Sequence, residues 1–193
     1  AYHYINQSSC FELDGVDNVE EYGRTMHAMD VMGIGRDEQK SIMSVVAGIL
    51  HLGNVSFVDD ADAAEDACKL DGLGAQEALS DAAAVLKLDA EKLGKSLMTR
   101  RIVFADEVIH KSLSAASAMH SRDALAKSLY SNLFDYLVER VNNSIGQDAS
   151  SHNFIGVLDI YGFESFAVNS FEQFCINFAN EKLQQHFNQH VFK

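Results

Sequence analysis

The fold is decided by the stretch FIGVLDIYGFE at residues 154–164. Its first five residues form an apolar run, which is typical of an interior strand of a parallel sheet covered on both faces. Asp159 follows directly, and Gly162 completes an Asp-x-x-Gly spacing. A carboxylate at a strand end can organise the water around Mg²⁺, and glycine lets a backbone N–H approach a terminal phosphate closely. The pattern predicts either a nucleotide switch or an ordinary turn after a strand.

Helical periodicity marks most of the remaining chain. Apolar residues that recur every three or four positions predict six helices. These helices cover residues 19–29, 37–52, 79–86, 93–97, 121–145 and 170–193. Ser170 and Gln173 have capping-box spacing at the start of the last one. Apolar segments around residues 105–107 predict an exposed hairpin at 101–110. We therefore expect a mainly α-helical chain with a few β-strands.

The composition excludes several classes of protein. The 193 residues include 15 Lys and Arg against 28 Asp and Glu, and the net charge of −13 argues against a nucleic-acid partner. No apolar run approaches the roughly 18 to 20 residues that span a bilayer. Three cysteines without a C-x-x-C pair predict reduced intracellular thiols. We expect a soluble, cytoplasmic chain. Because it contains no proline and begins without methionine, we also expect an excised piece of a longer protein.

Three patterns resemble known sites but depart from them. The Gly-Lys-Ser triplet at 94–96 lacks the first glycine of a phosphate loop, because Asp89 stands there. His186 and His190 lie four apart on the last helix, but the glutamate of H-E-x-x-H is absent. A structural or surface role is therefore favoured over a zinc site. The acidic stretch at 59–66 lacks the central glycine and last glutamate of a calcium loop, so we expect it to be solvated.

Motifs along the whole chain resemble those of the myosin motor domain. They occur in the family's order: YHYINQ at 2–7, ILHLGN at 49–54, DALAK at 123–127, DIYGFE at 159–164, NSFEQ at 169–173 and NEKLQQHFN at 180–188. The last three resemble the second switch and the relay helix. The acidic segment at 59–75 is the least similar part.

The resemblance implies a fragment of an α/β phosphate-loop nucleotidase motor domain. Residues 1–150 would be the upper actin-binding region. Residues 151–193 would contain a strand of the central sheet, the second switch and the start of the relay helix. By this resemblance, Gly162 gives its N–H to the γ-phosphate of ATP and Asp159 acts near Mg²⁺ through water. Glu164 would pair with an arginine of the first switch, which lies outside this chain.

The resemblance also implies a route for coupling and a contact with actin. Phe171, Phe178 and Phe187 would form the packed stripe that transmits a tilt of the relay helix, although an ordinary core stripe has the same pattern. The hairpin resembles a loop that touches actin, and the family's regulatory position falls on Glu107, sixteen residues before Asp123. A fixed carboxylate there implies a permanently enabled actin contact. The alternative for Glu107 is a solvated turn acid.

The implied parent protein is an actin-activated MgATPase of the cytoskeleton. Its partners would be actin filaments, the remainder of the motor domain, and light chains or calmodulin. We expect the isolated chain to lack ATPase activity, because the phosphate loop and first switch would lie before Ala1. The alternative is a non-enzymatic helical interaction module in which Asp159 and Gly162 form only a turn. A small GTPase is disfavoured because no guanine-selective Asn-Lys-x-Asp occurs.

Overall fold

The computed structural model describes residues 1–63, 67–104, 107–146, 150, 153 and 155–192, with the side chains of Phe104 and Glu107 excepted. The chain divides into two compact units, Ala1–Gln147 and Asp148–Lys193. The first unit contains, in order, a 3₁₀ turn His3–Ile5, α1 Asn18–Val31, α2 Arg36–Gly53, β1 Phe57–Asp59, β2 Cys68–Leu70, α3 Gly72–Leu86, α4 Ala90–Met98, β3 Thr99–Phe104, β4 Glu107–Ser112 and α5 Ala115–Ile145. The second unit contains α6 Phe171–Val191.

The core of the first unit lies between α2, α3, α4 and α5. Its fully buried members include Leu52, Val55, Ala82 and Ala118. Small residues let the helices approach closely. At Gly48 of α2, an added Cβ would lie 2.5 Å from the Leu86 side chain of α3. Burial of these apolar side chains is the main favourable contribution to folding of this unit.

A buried arginine joins the start of the chain to α5. Arg122 is 5% exposed and donates to the backbone oxygens of Val55 at 2.7 Å and Gly53 at 3.3 Å. It also pairs with Asp123 at 2.8 Å, and the Tyr4 hydroxyl donates to the same carboxylate at 2.5 Å. Burial opposes ionisation of Asp123, but the hydrogen bonds from Tyr4 and Arg122 outweigh it and lower the pKa of that carboxyl. The 3₁₀ turn is thereby fixed to α5.

The six predicted helices and the hairpin are confirmed. The hairpin is antiparallel, with Arg101 opposite His110 and Ile102 opposite Ile109. The helix predicted from residue 121 begins at Ala115, because Ser114 caps it through a hydrogen bond from the Ser117 N–H. The mainly α-helical class with few strands is therefore correct for this chain.

The described part of the acidic stretch at 59–66 is solvated, as expected: residues 59 and 61–63 are exposed, and Asp60 is half-buried. It begins at the end of a short hairpin, β1 and β2, that the sequence did not predict. The carboxylate of Asp59 accepts a hydrogen bond from the Ala115 N–H at 2.7 Å, at the positive end of α5. Asp60 forms an ion pair with Lys69 at 2.8 Å. Residues 64–66 lie outside the described part of the chain.

Residues 155–158, the described part of the strand predicted at 154–158, do not form a strand. Residues 155–158 have irregular backbone, and Ile155 and Val157 are 101% and 97% exposed. Phe154 lies outside the described residues. An interior strand requires neighbouring strands and covering helices. Among the described residues of this unit only α6 is regular, so the apolar run has no sheet to join.

Candidate functional site

One face of α6 carries three amide side chains, Gln173, Asn177 and Asn180, which we call the amide row. Their spacing of four and three residues places them on the same side of the helix. Each donates to a backbone oxygen of the loop before α6. Gln173 and Asn177 donate to Glu164 at 2.7 and 2.8 Å, and Asn180 donates to Tyr161 at 2.8 Å. The amide row therefore fixes this loop to the first turns of α6.

The main chain of Glu164 is held at both of its polar groups. Its N–H donates to Oδ1 of Asn177 at 2.8 Å, and its carbonyl oxygen accepts from Asn177 and Gln173. The residue is half-buried. Fixing both groups limits the directions in which the Glu164 carboxylate can point, which is what a charge-pairing residue requires.

The start of α6 is confirmed as predicted, with one difference. The hydroxyl of Ser170 accepts a hydrogen bond from the Gln173 N–H at 3.2 Å, as in a capping box. The buried Gln173 side chain does not return to Ser170. It donates instead to Glu164 and to Oδ1 of Asn169 at 2.7 Å. Gln173 thus takes part in the helix cap through its N–H and in the loop contact through its side chain.

Gly162 and Asp159 are exposed in this unit, whereas Glu164 is half-buried. A Cβ added at Gly162 would meet no heavy atom within 4 Å, and the residue does not adopt a left-handed backbone. Neither packing nor backbone geometry within the described residues therefore explains the glycine. Asp159 is exposed, and neither its carboxylate nor that of Glu164 forms an ion pair within the described ranges.

The predicted stripe of Phe171, Phe178 and Phe187 is not packed. These side chains are 80%, 53% and 55% exposed. Phe174 lies between the first two, with ring centroids 6.3 Å from Phe171 and 6.2 Å from Phe178. The physical reason is that the described part of this unit has no second helix or sheet to cover them. A role for these rings in coupling stays a prediction.

The hairpin of β3 and β4 is rich in positively charged side chains, although the chain has a net charge of −13. Arg100 lies opposite Lys111, and Arg101 lies opposite His110. All four residues are exposed. The like charges of Arg100 and Lys111, directly opposite each other, destabilise an isolated hairpin, and an acidic surface would relieve that repulsion. Glu107 begins β4, but its side chain lies outside the described part, so its regulatory role is untested.

The fold accounts for the Gly-Lys-Ser triplet at 94–96. Gly94 lies inside α4, where an added Cβ would come within 2.9 Å of the Leu79 side chain. The triplet at 94–96 is therefore part of a packed helix. Across the described ranges, no group of three or more His, Cys, Asp or Glu side chains is arranged to hold a metal ion. No helix there is both long and apolar enough to cross a membrane.

The chain belongs to the myosin head family, since the family model Myosin head (motor domain) matches residues 1–193. Among its relatives, Myosin-17 and Myosin-6 of Arabidopsis thaliana are 57% and 56% identical to it, and Protein OPAQUE1 of Zea mays is 52% identical. Each match covers 100% of this chain and 12 or 13% of the relative. The chain thus spans about an eighth of the length of these relatives.

Proposed function

We propose that this chain forms part of a myosin motor that couples ATP hydrolysis to movement along actin filaments. The observation that carries the proposal is the attachment of the loop at 161–164 to α6 by the amide row. A displacement of this loop must move α6 or break hydrogen bonds. The loop therefore acts as the second switch of a phosphate-loop nucleotidase, and α6 acts as the start of the relay helix. Membership of the myosin head family supports both roles.

The described residues fit Mg²⁺ and ATP. Gly162 has no side chain to obstruct approach to its N–H, and Asp159 offers an exposed carboxylate oxygen, the ligand type that Mg²⁺ and its water prefer. When bound, ATP supplies the γ-phosphoryl group and Mg²⁺ neutralises phosphate charge. Gly162 would donate its N–H to the γ-phosphate, Asp159 would hold water of the Mg²⁺ shell, and Glu164 would pair with an arginine of the first switch. The chain contributes positioning and electrostatics, without a covalent intermediate.

The Gly162 contact is strong enough to bias a switch. A hydrogen bond to a charged group contributes about 1.5 to 3 kcal/mol, which corresponds to a roughly ten- to hundredfold change between two positions of the loop. The amide row couples the position of the loop to α6. Asn180 donates to Tyr161 and Asn177 donates to Glu164, so the two hydrogen bonds lie on either side of Gly162. Loss of the phosphate would then tilt the helix.

The first unit supplies the actin contact. The cationic side chains of Arg100, Arg101 and Lys111 suit the acidic side chains of a filament surface, and Glu107 is the first residue of β4. The remaining partners are the rest of the motor domain and light chains or calmodulin in the parent protein. The chain by itself does not hydrolyse ATP, because the phosphate loop and first switch belong to other parts of the motor.

The experiment is co-sedimentation of this chain with filamentous actin at low and moderate salt. We expect saturable binding that Glu107→Lys and Arg100→Glu both weaken. The control is Glu77→Lys, a charge reversal on the exposed face of α3, which should leave binding unchanged. Stronger binding of both Glu107→Lys and Glu77→Lys, with weaker binding of Arg100→Glu, would mean non-specific charge attraction. No binding by a folded chain would contradict the actin contact and favour a non-enzymatic helical interaction module.

A further inference from the structure

Two histidines lie one turn apart near the end of α6. The ring centroids of His186 and His190 are 4.4 Å apart, and their planes are inclined by 57°. Both residues are exposed. The function proposed above uses neither of them, and the inference drawn from them does not rest on it.

The spacing of the two rings suits one metal ion. Imidazole is a preferred ligand of Zn²⁺, Ni²⁺ and Cu²⁺. With metal–nitrogen bonds of about 2.0 Å, two imidazoles on one ion place their centroids roughly 4.5 to 5 Å apart. The observed 4.4 Å is close to this distance, so the helix already holds the two rings near the separation that a shared ion requires.

Lys182, one turn before His186, contacts the aromatic ring of Phe178. The Lys182 ammonium lies 5.4 Å from the ring centroid of Phe178, in the geometry of a cation–π contact. This contact holds the ammonium on the side of Phe178, away from the turn that carries His190, and reduces its repulsion of a metal ion. Lys193 lies outside the described residues.

We propose that His186 and His190 together bind one divalent transition metal ion of the imidazole-preferring class, with water completing the coordination shell. The site has two protein ligands, and the role that we assign to the ion is to stabilise the helix. Because residues four apart share a face only in the helix, bound metal stabilises the last turns of α6. A metal ion would thus stiffen the end of α6 that lies opposite the amide row.

Calorimetric titration of the chain with Zn²⁺, and separately Ni²⁺, tests the site, with helicity followed by circular dichroism. We expect one saturable ion per chain and a gain in helicity. His190→Gln should weaken binding by roughly a hundredfold, because the second imidazole no longer acts at high effective concentration. The residue is exposed, so this variant retains the fold.

Two matched double variants keep the number of histidines at the eight of the natural chain, because each replaces His190 and adds one histidine elsewhere. His190→Gln with Asn188→His places the second ring two residues from His186, on a different face, and should not restore binding. His190→Gln with Lys182→His recreates the spacing of four residues and should restore it. Unchanged affinity in His190→Gln, or equal recovery in both double variants, would overturn the proposal.

Discussion

Asn177 holds the main chain of Glu164 at both of its hydrogen-bonding groups. Its Oδ1 accepts from the Glu164 N–H and its Nδ2 donates to the Glu164 carbonyl oxygen, each at 2.8 Å. Only an amide side chain offers a donor and an acceptor side by side in this way. Asn177 of α6 therefore positions the Glu164 main chain, in the loop that we assign to the nucleotide switch.

Asn177→Ala should loosen the attachment of Glu164 to α6, although Gln173 and Asn180 keep their hydrogen bonds to the loop. Both hydrogen bonds are lost, at about 0.5 to 1.5 kcal/mol each, and the Glu164 amide should exchange with solvent roughly ten times faster or more. The measurement is amide hydrogen exchange resolved at Glu164. The control is Asn188→Ala, an exposed amide on the same helix, which should leave Glu164 unchanged. Equal exchange in the two variants would show that the amide row does not hold the loop.

Gly48→Ala should destabilise the first unit. The added Cβ would lie 2.5 Å from the Leu86 side chain, so α2 and α3 must separate or Leu86 must leave its rotamer, at about 1 to 3 kcal/mol. Gly74→Ala is the matched control in α3, where nothing lies within 4 Å of the new Cβ. That change should stabilise by about 0.5 to 1 kcal/mol. Urea unfolding of both variants measures the difference, and the same sign for both would refute the close helix contact.

The hydrogen bond between Tyr4 and Asp123 should make stability fall at high pH. Burial and this hydrogen bond raise the pKa of Tyr4 to about 12, from an unfolded value near 10. Because the unfolded chain releases the proton first, the contribution is complete below pH 10 and is lost as the pH rises toward 12. The free energy of unfolding of Tyr4→Phe should be lower at pH 8 and should depend less on pH between 10 and 12. Parallel pH profiles would contradict this assignment.

Local patterns were sufficient to predict the five α-helices and the β3–β4 hairpin of the first unit, but not the short hairpin of β1 and β2. Apolar residues recur periodically along α2 and α5, and the hairpin has paired apolar segments. These patterns predict the elements correctly because their contacts are made within this chain. The apolar run at 155–158 differs, because its burial depends on strands and helices that the described residues do not include. The same reason explains the exposed rings of Phe171, Phe178 and Phe187.

The attachment of the loop to α6 was missed although its signal is in the sequence. Gln173, Asn177 and Asn180 repeat amide side chains at a helical spacing, which a search for apolar periodicity ignores. Contacts across long separations, such as Tyr4 with Asp123 or Arg122 with Val55, leave no local pattern. They depend on tertiary packing and could be found only in the structure.

The most direct test of the central claim uses a chimera in which this chain replaces the matching segment of the Arabidopsis Myosin-17 motor. We expect the chimera to hydrolyse ATP with stimulation by actin. Gly162→Ala should lower turnover by roughly a hundredfold or more, because the methyl group keeps the γ-phosphate from the N–H. Nucleotide-free actin binding should persist, since the Cβ meets nothing within 4 Å in its own unit. Full ATP turnover by the Gly162→Ala chimera would contradict the assignment of this loop as the nucleotide switch.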